Sequence, residues 1–294
     1  MGCAMDREAE LDIIRRAYAK QVMAKVSVDD PSVEKAFAEV HRENFLGEGP
    51  WQVLRWYRGY VATPSADPVY LYTDDLVGII PERKINNGQP SLHAWLMAQA
   101  APRQGEHVVH VGAGVGYYTA ILAHLTGRTG KVTAIEYDAD LAALASSNLK
   151  SYSNTVVIQG DGSTVDFAPA DVIYVNAGAT RPADSWLDRL RNGGRLILPL
   201  TTDKGFNSLD PGQIRRQGAV FRIERQGCDF RARWIGPVAI FPCEGLRDAA
   251  SEAALAAALE KGGWETVTGL HRGDDISDQR CWLRAPGWCL TRSY

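Results

Sequence analysis

The sequence predicts an α/β protein built on a doubly wound, mostly parallel sheet with an antiparallel edge. From His107 onward, short and nearly continuous apolar runs alternate with stretches of helical spacing, the pattern of strands covered on both faces by helices. After Pro199 the helical stretches give way to two strand-like segments, Val220–Arg225 and Phe230–Phe241, joined by a Gln-Gly-Cys-Asp turn, which predicts an antiparallel pair. A glycine-dense turn also follows the first apolar run, where a doubly wound sheet forms its ligand crevice.

The 294 residues suffice for one large domain or a core with an accessory element, and 45% hydrophobic and 23% charged residues are a globular composition. Mean hydropathy is -0.21. A net charge of -3 gives no basic field for nucleic acid, so no nucleic-acid partner is expected. Neither an apolar leader nor an 18-residue apolar window is found, so no membrane association is expected and the chain reads as cytoplasmic. Cys3, Cys228, Cys243, Cys281 and Cys289 are scattered without close pairs, which predicts reduced, buried thiols and no metal site.

In chain order, Leu11, Ile14, Ala17, Tyr18 and Val22 recur at helical spacing over Glu8–Val26, and Asp30-Pro31 opens a second helix through Val33, Phe37 and Val40. Gly47–Asp67 is rich in Gly, Pro, Trp and Tyr without a period and reads as an irregular insertion. Its Trp51, Trp56, Tyr57 and Tyr60 suit either a pocket cover or a satellite core. Five strands are expected at Val108–Val111, Val132–Ile135, Val156–Ile158, Val172–Val175 and Leu196–Leu198, with helices over Tyr118–Leu125, Leu141–Leu149 and Trp186–Leu190. With the antiparallel pair this makes a seven-stranded, Rossmann-like sheet. The tail offers a helix over Ala249–Lys261 and possible strands at Glu265–Leu270 and Cys281–Leu290. The expected division is an N-terminal helical cap with the aromatic insertion (1–85), a ligand-binding core (86–245) and a C-terminal extension (246–294).

The first strand runs into His110-Val-Gly112-Ala113-Gly114-Val-Gly116-Tyr117, where glycines permit a sharp bend and close approach of backbone to a ligand at a helix N-terminus. A dinucleotide loop wants G-x-G-x-x-G; here the third glycine comes one residue early. Glu136 ends the second strand about 20 residues on, suited to accept ribose hydroxyls, with Tyr137 beside it. Asp161, in Gly160-Asp161-Gly162 after the third strand, suits an adenine amino group, and Asn176 ends the fourth. Together these positions favour S-adenosylmethionine (AdoMet) over NAD as the cofactor, and with it a methyltransferase.

These residues resemble the protein-L-isoaspartate O-methyltransferase family. The resemblance rests on Val109–Ala120, Gly130–Glu136, Gly160-Asp-Gly162, Asp171–Gly178 and Leu190–Pro199, with Val40-His-Arg-Glu-Asn-Phe45, Tyr72-Thr-Asp-Asp-Leu76, Gln89-Pro90 and His93-Ala94 upstream in the same order. It covers residues 30 to 245. It implies an AdoMet-dependent enzyme that methylates a carboxylate or similar acceptor on a peptide, protein or small molecule. Two departures bear on the site. The family's Thr-Ile-Ser-x-Pro segment, whose hydroxyls face donor and acceptor, reads Asn86-Asn87-Gly88-Gln89-Pro90, and His110 replaces an acid. The resemblance puts the acceptor loop at Asn86, Asn87 and Gly88, with His93 on the following helix as a candidate base, acceptor contact or structural residue. The lost hydroxyls predict weak isoaspartate repair and a diverged small-molecule or peptide acceptor, with Gly88→Ser as the restoring change; Trp282, Trp288 and Tyr294 in the tail would add apolar acceptor surface. A non-catalytic AdoMet-binding protein and an NAD-type oxidoreductase are the readings from other classes.

Overall fold

The computed structural model describes residues 6–55, 58–203 and 216–292; Cys3, Trp56, Tyr57 and Tyr294 lie outside the described residues. Helices α1 (Arg7–Lys25) and α2 (Pro31–Glu39) pack together at the N-terminus. Asp30 starts α2 by accepting the Ser32 and Val33 N–H groups at 3.0 and 3.2 Å, and Pro31 supplies a first-turn φ without a wasted donor.

The segment expected to be irregular, Gly47–Asp67, supplies two strands of a small sheet instead. Strands β1 (Gln52–Arg55), β2 (Gly59–Ala62), β3 (Val77–Ile80) and β4 (Ile85–Asn86) pair antiparallel in the order β2-β1-β3-β4. The strands are too short, and β2 too exposed, to write an alternation into the sequence. Trp51 is buried there with Val53, Leu71 and Val77, so it serves a satellite core and does not cover a pocket.

The main elements then follow as α3 (Pro90–Ala100), β5 (His107–Val111), α4 (Tyr117–Thr126), β6 (Lys131–Glu136), α5 (Ala139–Asn148), β7 (Thr155–Gln159), β8 (Ala170–Val175), α6 (Asp184–Arg189), β9 (Leu190–Thr201), β10 (Gly218–Gln226) and β11 (Asp229–Pro237). The tail supplies α7 (Ala249–Lys261), β12 (Val267–Arg272), β13 (Cys281–Ala285) and β14 (Trp288–Arg292). The large sheet has ten strands, ordered β13-β14-β12-β11-β10-β9-β8-β5-β6-β7. Strands β7, β6, β5, β8 and β9 run parallel and the rest of the sheet is antiparallel.

The expected seven strands are therefore extended by three, because the tail continues the sheet through Phe230 opposite Leu270 and Arg231 opposite Gly269. Cys281–Leu290, expected as one strand, is a hairpin that turns at Pro286-Gly287, with Gly287 at φ +78°. Trp288 is buried and Trp282 packs on Phe221 at 5.6 Å between ring centroids, so both belong to the core and supply no acceptor surface. Cys228 is exposed in the β10–β11 turn, contrary to expectation, while Cys243, Cys281 and Cys289 are buried thiols. Among the described residues, no helix is long and apolar enough to cross a membrane.

The parallel strands are buried on both faces. Val108 joins the core beneath α1 to α4, while Val109 and Val111 join the opposite one with Trp186, Leu255 and Leu259. This period of two aims alternate residues of β5 at different helices. The strand order reverses at β5, with β6 and β7 on one side and β8 and β9 on the other, which opens a crevice between β5 and β8 at the carboxyl ends of the parallel strands.

Candidate active site

That crevice is a cleft of about 1030 Å³, floored by the ends of β5, β6 and β8 and walled by β4, the start of α3 and residues 239–244. At its floor Gly112 has φ +79°, and a Cβ there would lie 2.9 Å from the Asn176 carbonyl oxygen, so only glycine allows this approach. Gly114 has φ +56° and nothing within 4 Å of a would-be Cβ, which leaves a cradle open to the cleft. Asn176 donates from Nδ2 to the Gly112 carbonyl at 3.2 Å and ties the loop to the end of β8.

Glu136 is buried at the tip of β6, where its carboxylate accepts N–H groups from Gly114 at 2.7 Å and Asp138 at 3.0 Å. Burial pushes its carboxyl pKa above the ordinary value, only partly offset by these bonds. Asp161 accepts the Ser163 N–H at 2.8 Å and its hydroxyl at 2.7 Å through Oδ1, while Trp186 fixes the turn by donating to the Gly162 carbonyl at 2.7 Å. Two carboxylates at successive strand ends beside an open glycine cradle fit a nucleoside with an amino-acid tail, and the N–H groups of the glycine turn are turned inward, Gly112 and Ala113 both donating to the Ile135 carbonyl and Gly114 to Glu136. Glu136 and Asp161 would hold the nucleoside of AdoMet, and Gly112, Gly114 and Asn176 would border its methionyl part.

Another part of the cleft wall is built by the turn from β4 into α3. Asn86 Oδ1 accepts the Gly88 N–H at 2.8 Å, and Asp74 holds the start of α3 by accepting the Ser91 N–H and hydroxyl, each at 2.7 Å, and the Gln89 amide at 2.9 Å. Leu76, Ile85, Leu92, Ile240 and Phe241 add apolar surface to the cleft lining. His93 stacks on Tyr118 at 3.6 Å between centroids, and its Nδ1 lies 2.8 Å from the Tyr174 hydroxyl. Burial, with His110 and the Arg42 guanidinium nearby, holds the His93 imidazole well below its ordinary pKa, so it is neutral.

Of the residues singled out from sequence, Asn86, Gly88, His93, Gly112, Gly114, Glu136, Tyr137, Asp161, Gly162 and Asn176 line this one cleft. Five do not. His110 points from the other face of β5 than Val109 and Val111; its Nδ1 meets the Thr119 hydroxyl at 2.9 Å, and burial pushes its pKa down to about 3. Tyr117 is buried against Phe45 at 5.6 Å with the Arg42 guanidinium 5.7 Å from its ring. Gly116 caps α4 at φ +92° against Leu149, Ala113 is buried in the turn, and Asn87 is buried with its N–H donated to the Val77 carbonyl. Sequence reasoning missed the Arg83–Asp138 ion pair, 2.7 Å long between two residues of the cleft lining, and the wall at 239–244. That wall is held where Gly178 donates to Phe241 at 2.7 Å and Cys243 to Gly178 at 2.9 Å. Pro237 and Pro242 were the available signal, since proline ends a strand's ladder.

Residues 15–228 match the family model described as protein-L-isoaspartate(D-aspartate) O-methyltransferase. A protein-L-isoaspartate O-methyltransferase of Thermotoga maritima is 30% identical over 185 residues, 61% of this chain, and the chain spans only 53% of that relative's length. One of Protochlamydia amoebophila is 30% identical over 254 residues, 85% of this chain and 98% of the relative. A crystal structure of a Plasmodium falciparum protein of the same description superposes with a TM-score of 0.60 at 18% identity, covering 78% of this chain and 98% of that one, a likeness of fold. The family match encloses the cleft's glycine turn, Glu136 and Asp161 as well as the β4–α3 turn. The chain belongs to the protein-L-isoaspartate(D-aspartate) O-methyltransferase family.

Proposed function

We propose that this protein is an AdoMet-dependent methyltransferase that esterifies a carboxylate presented by a peptide or protein. The observation that carries the reading is one cleft lined both by Gly114, Glu136 and Asp161 and by Asn86, Gly88 and His93. The related P. falciparum structure is a complex with S-adenosyl-L-homocysteine, which supports the same ligand class here. AdoMet supplies an activated methyl group on sulfur. The acceptor oxygen would take that methyl group, with the carbon–sulfur electron pair staying on sulfur. A carboxylate has no proton to lose in this step, so alignment and exclusion of water suffice and no strong base is required. The apolar wall of Leu76, Leu92, Ile240 and Phe241 serves that exclusion.

The test is incubation with methyl-labelled AdoMet and an isoaspartyl peptide, followed by mild alkali. Ester formation releases volatile labelled methanol. Label retained in a base-stable product, or no transfer, would turn the reading toward a diverged acceptor, the alternative that Gly88, with no side-chain hydroxyl, favours.

A further inference from the structure

Gly88 and His93 form a matched pair. A Cβ on Gly88 would lie 2.4 Å from His93 Nε2 and 2.9 Å from Cδ2, and at φ +68° the backbone itself disfavours any other residue. The imidazole therefore occupies the space that a side chain at position 88 would need. Its ring is held from two sides. Tyr118 stacks on its face, and the Tyr118 hydroxyl donates to the Gly88 carbonyl at 3.3 Å, so ring and turn share one support. The Tyr174 hydroxyl takes the Nδ1 edge at 2.8 Å. The Nε2 edge faces Gly88, has no hydrogen bond among the described residues and belongs to the cleft lining.

The partner at Nδ1 decides what Nε2 offers. A phenol is a stronger donor than a neutral imidazole N–H, and a ring nitrogen lone pair is a stronger acceptor than a phenolic oxygen. The favoured arrangement has the Tyr174 hydroxyl donating to Nδ1, which leaves the imidazole proton on Nε2. Tyr174 is fully buried, and burial raises its pKa well above the ordinary value, so it keeps its proton.

We infer that His93 is an acceptor-binding residue whose Nε2–H, fixed in that tautomer by Tyr174, donates a hydrogen bond to the acceptor's carboxylate beside Gly88. This deepens the carboxyl-methylation reading and rests on it. The donor expected from a hydroxyl at position 88 comes instead from the helix one turn away. A fixed neutral donor suits an oxyanion and gives no help to an amine or alcohol that must lose a proton, so the pair selects acceptors that arrive already ionised.

The test begins with the tautomer, read by nitrogen-15 NMR of the histidine rings in the free protein. The expected spectrum shows His93 protonated at Nε2, with Tyr174→Phe weakening that preference. Addition of an isoaspartyl hexapeptide to the protein saturated with S-adenosylhomocysteine should then shift the His93 Nε2 resonance. In steady state, His93→Ala should raise KM for the peptide about tenfold or more, the scale of a lost hydrogen bond to a charged group, with a smaller effect on kcat. Since His93→Ala leaves a buried cavity, His93→Gln serves as the second variant: its amide donor should recover part of the lost KM. Protonation at Nδ1, or an Nε2 resonance unmoved by saturating peptide, would overturn the inference. Failure of wild type to bind S-adenosylhomocysteine would instead sink the methyltransferase reading, and calorimetry reports that separately from the tautomer.

Discussion

Glu136 is a buried carboxylate whose charge is opposed by burial, so the proposed AdoMet site is expected to bind in a pH-sensitive way. Ribose hydroxyls would donate to the charged form, so that binding and ionisation would support each other. AdoMet affinity is expected to be full above the raised pKa of Glu136 and to fall as pH drops through it, which binding titrations across mildly acidic pH would follow; flat affinity there would deny Glu136 the ribose. At Gly88 the structure reverses an expectation. Serine was to restore a missing hydroxyl, but its Cβ would strike His93 at 2.4 Å, so Gly88→Ser is expected to lower peptide turnover at least severalfold, measured beside wild type at saturating AdoMet. The residues legible from sequence were those whose backbone position alone fixes their place, such as Glu136 at a strand end and Gly112 in a turn. His110 and Tyr117 were misplaced because their roles depend on which face of β5 or α4 they occupy, and a motif does not record that.

At the scale of elements, the start of α3 depends on a carboxylate from outside the helix. Burial opposes the Asp74 charge, but hydrogen bonds from Lys25, Ser91 and Gln89 outweigh it and hold the carboxyl below its ordinary pKa. A depressed carboxylate contributes stability that is present above its unfolded pKa and lost as pH falls through the folded one. Asp74→Asn should therefore cost about 0.5–2 kcal/mol at neutral pH, the scale of a lost helix cap, and the gap in denaturation midpoint from wild type should close below about pH 3.8. A gap independent of pH would contradict this ionic role. The long α/β elements were legible because buried parallel strands and amphipathic helices impose their periods over many residues. The small sheet β1–β4 was not, since strands of four residues or fewer carry too short a pattern, and the tail hairpin was hidden in one mostly apolar stretch whose turn signal is Pro286-Gly287.

For the whole molecule, the tail after residue 245 belongs to the same core as the ligand-binding sheet. Leu255, Leu259, Leu270, Leu283 and Leu290 are buried in one cluster with Leu196, Leu198 and Phe221. A chain ending at 245 would bare that cluster and the unpaired edge of β11, and is expected to aggregate or melt well below the full chain in light scattering and thermal unfolding. An equally stable truncated protein would show the tail to be dispensable. The doubly wound core and its antiparallel edge could be read from sequence, but the joining of the tail to that edge could not, because a strand's partner is set by tertiary contact.

The central claim is that the cleft between β5 and β8 is an AdoMet site anchored by Glu136, and calorimetric titration of S-adenosylhomocysteine into wild type and Glu136→Ala tests it most directly. One binding site in wild type, weakened in the variant by about 1.5–3 kcal/mol, the scale for hydrogen bonds to a charged group, is the expected result. Unchanged affinity in Glu136→Ala, with the variant folded, would contradict it.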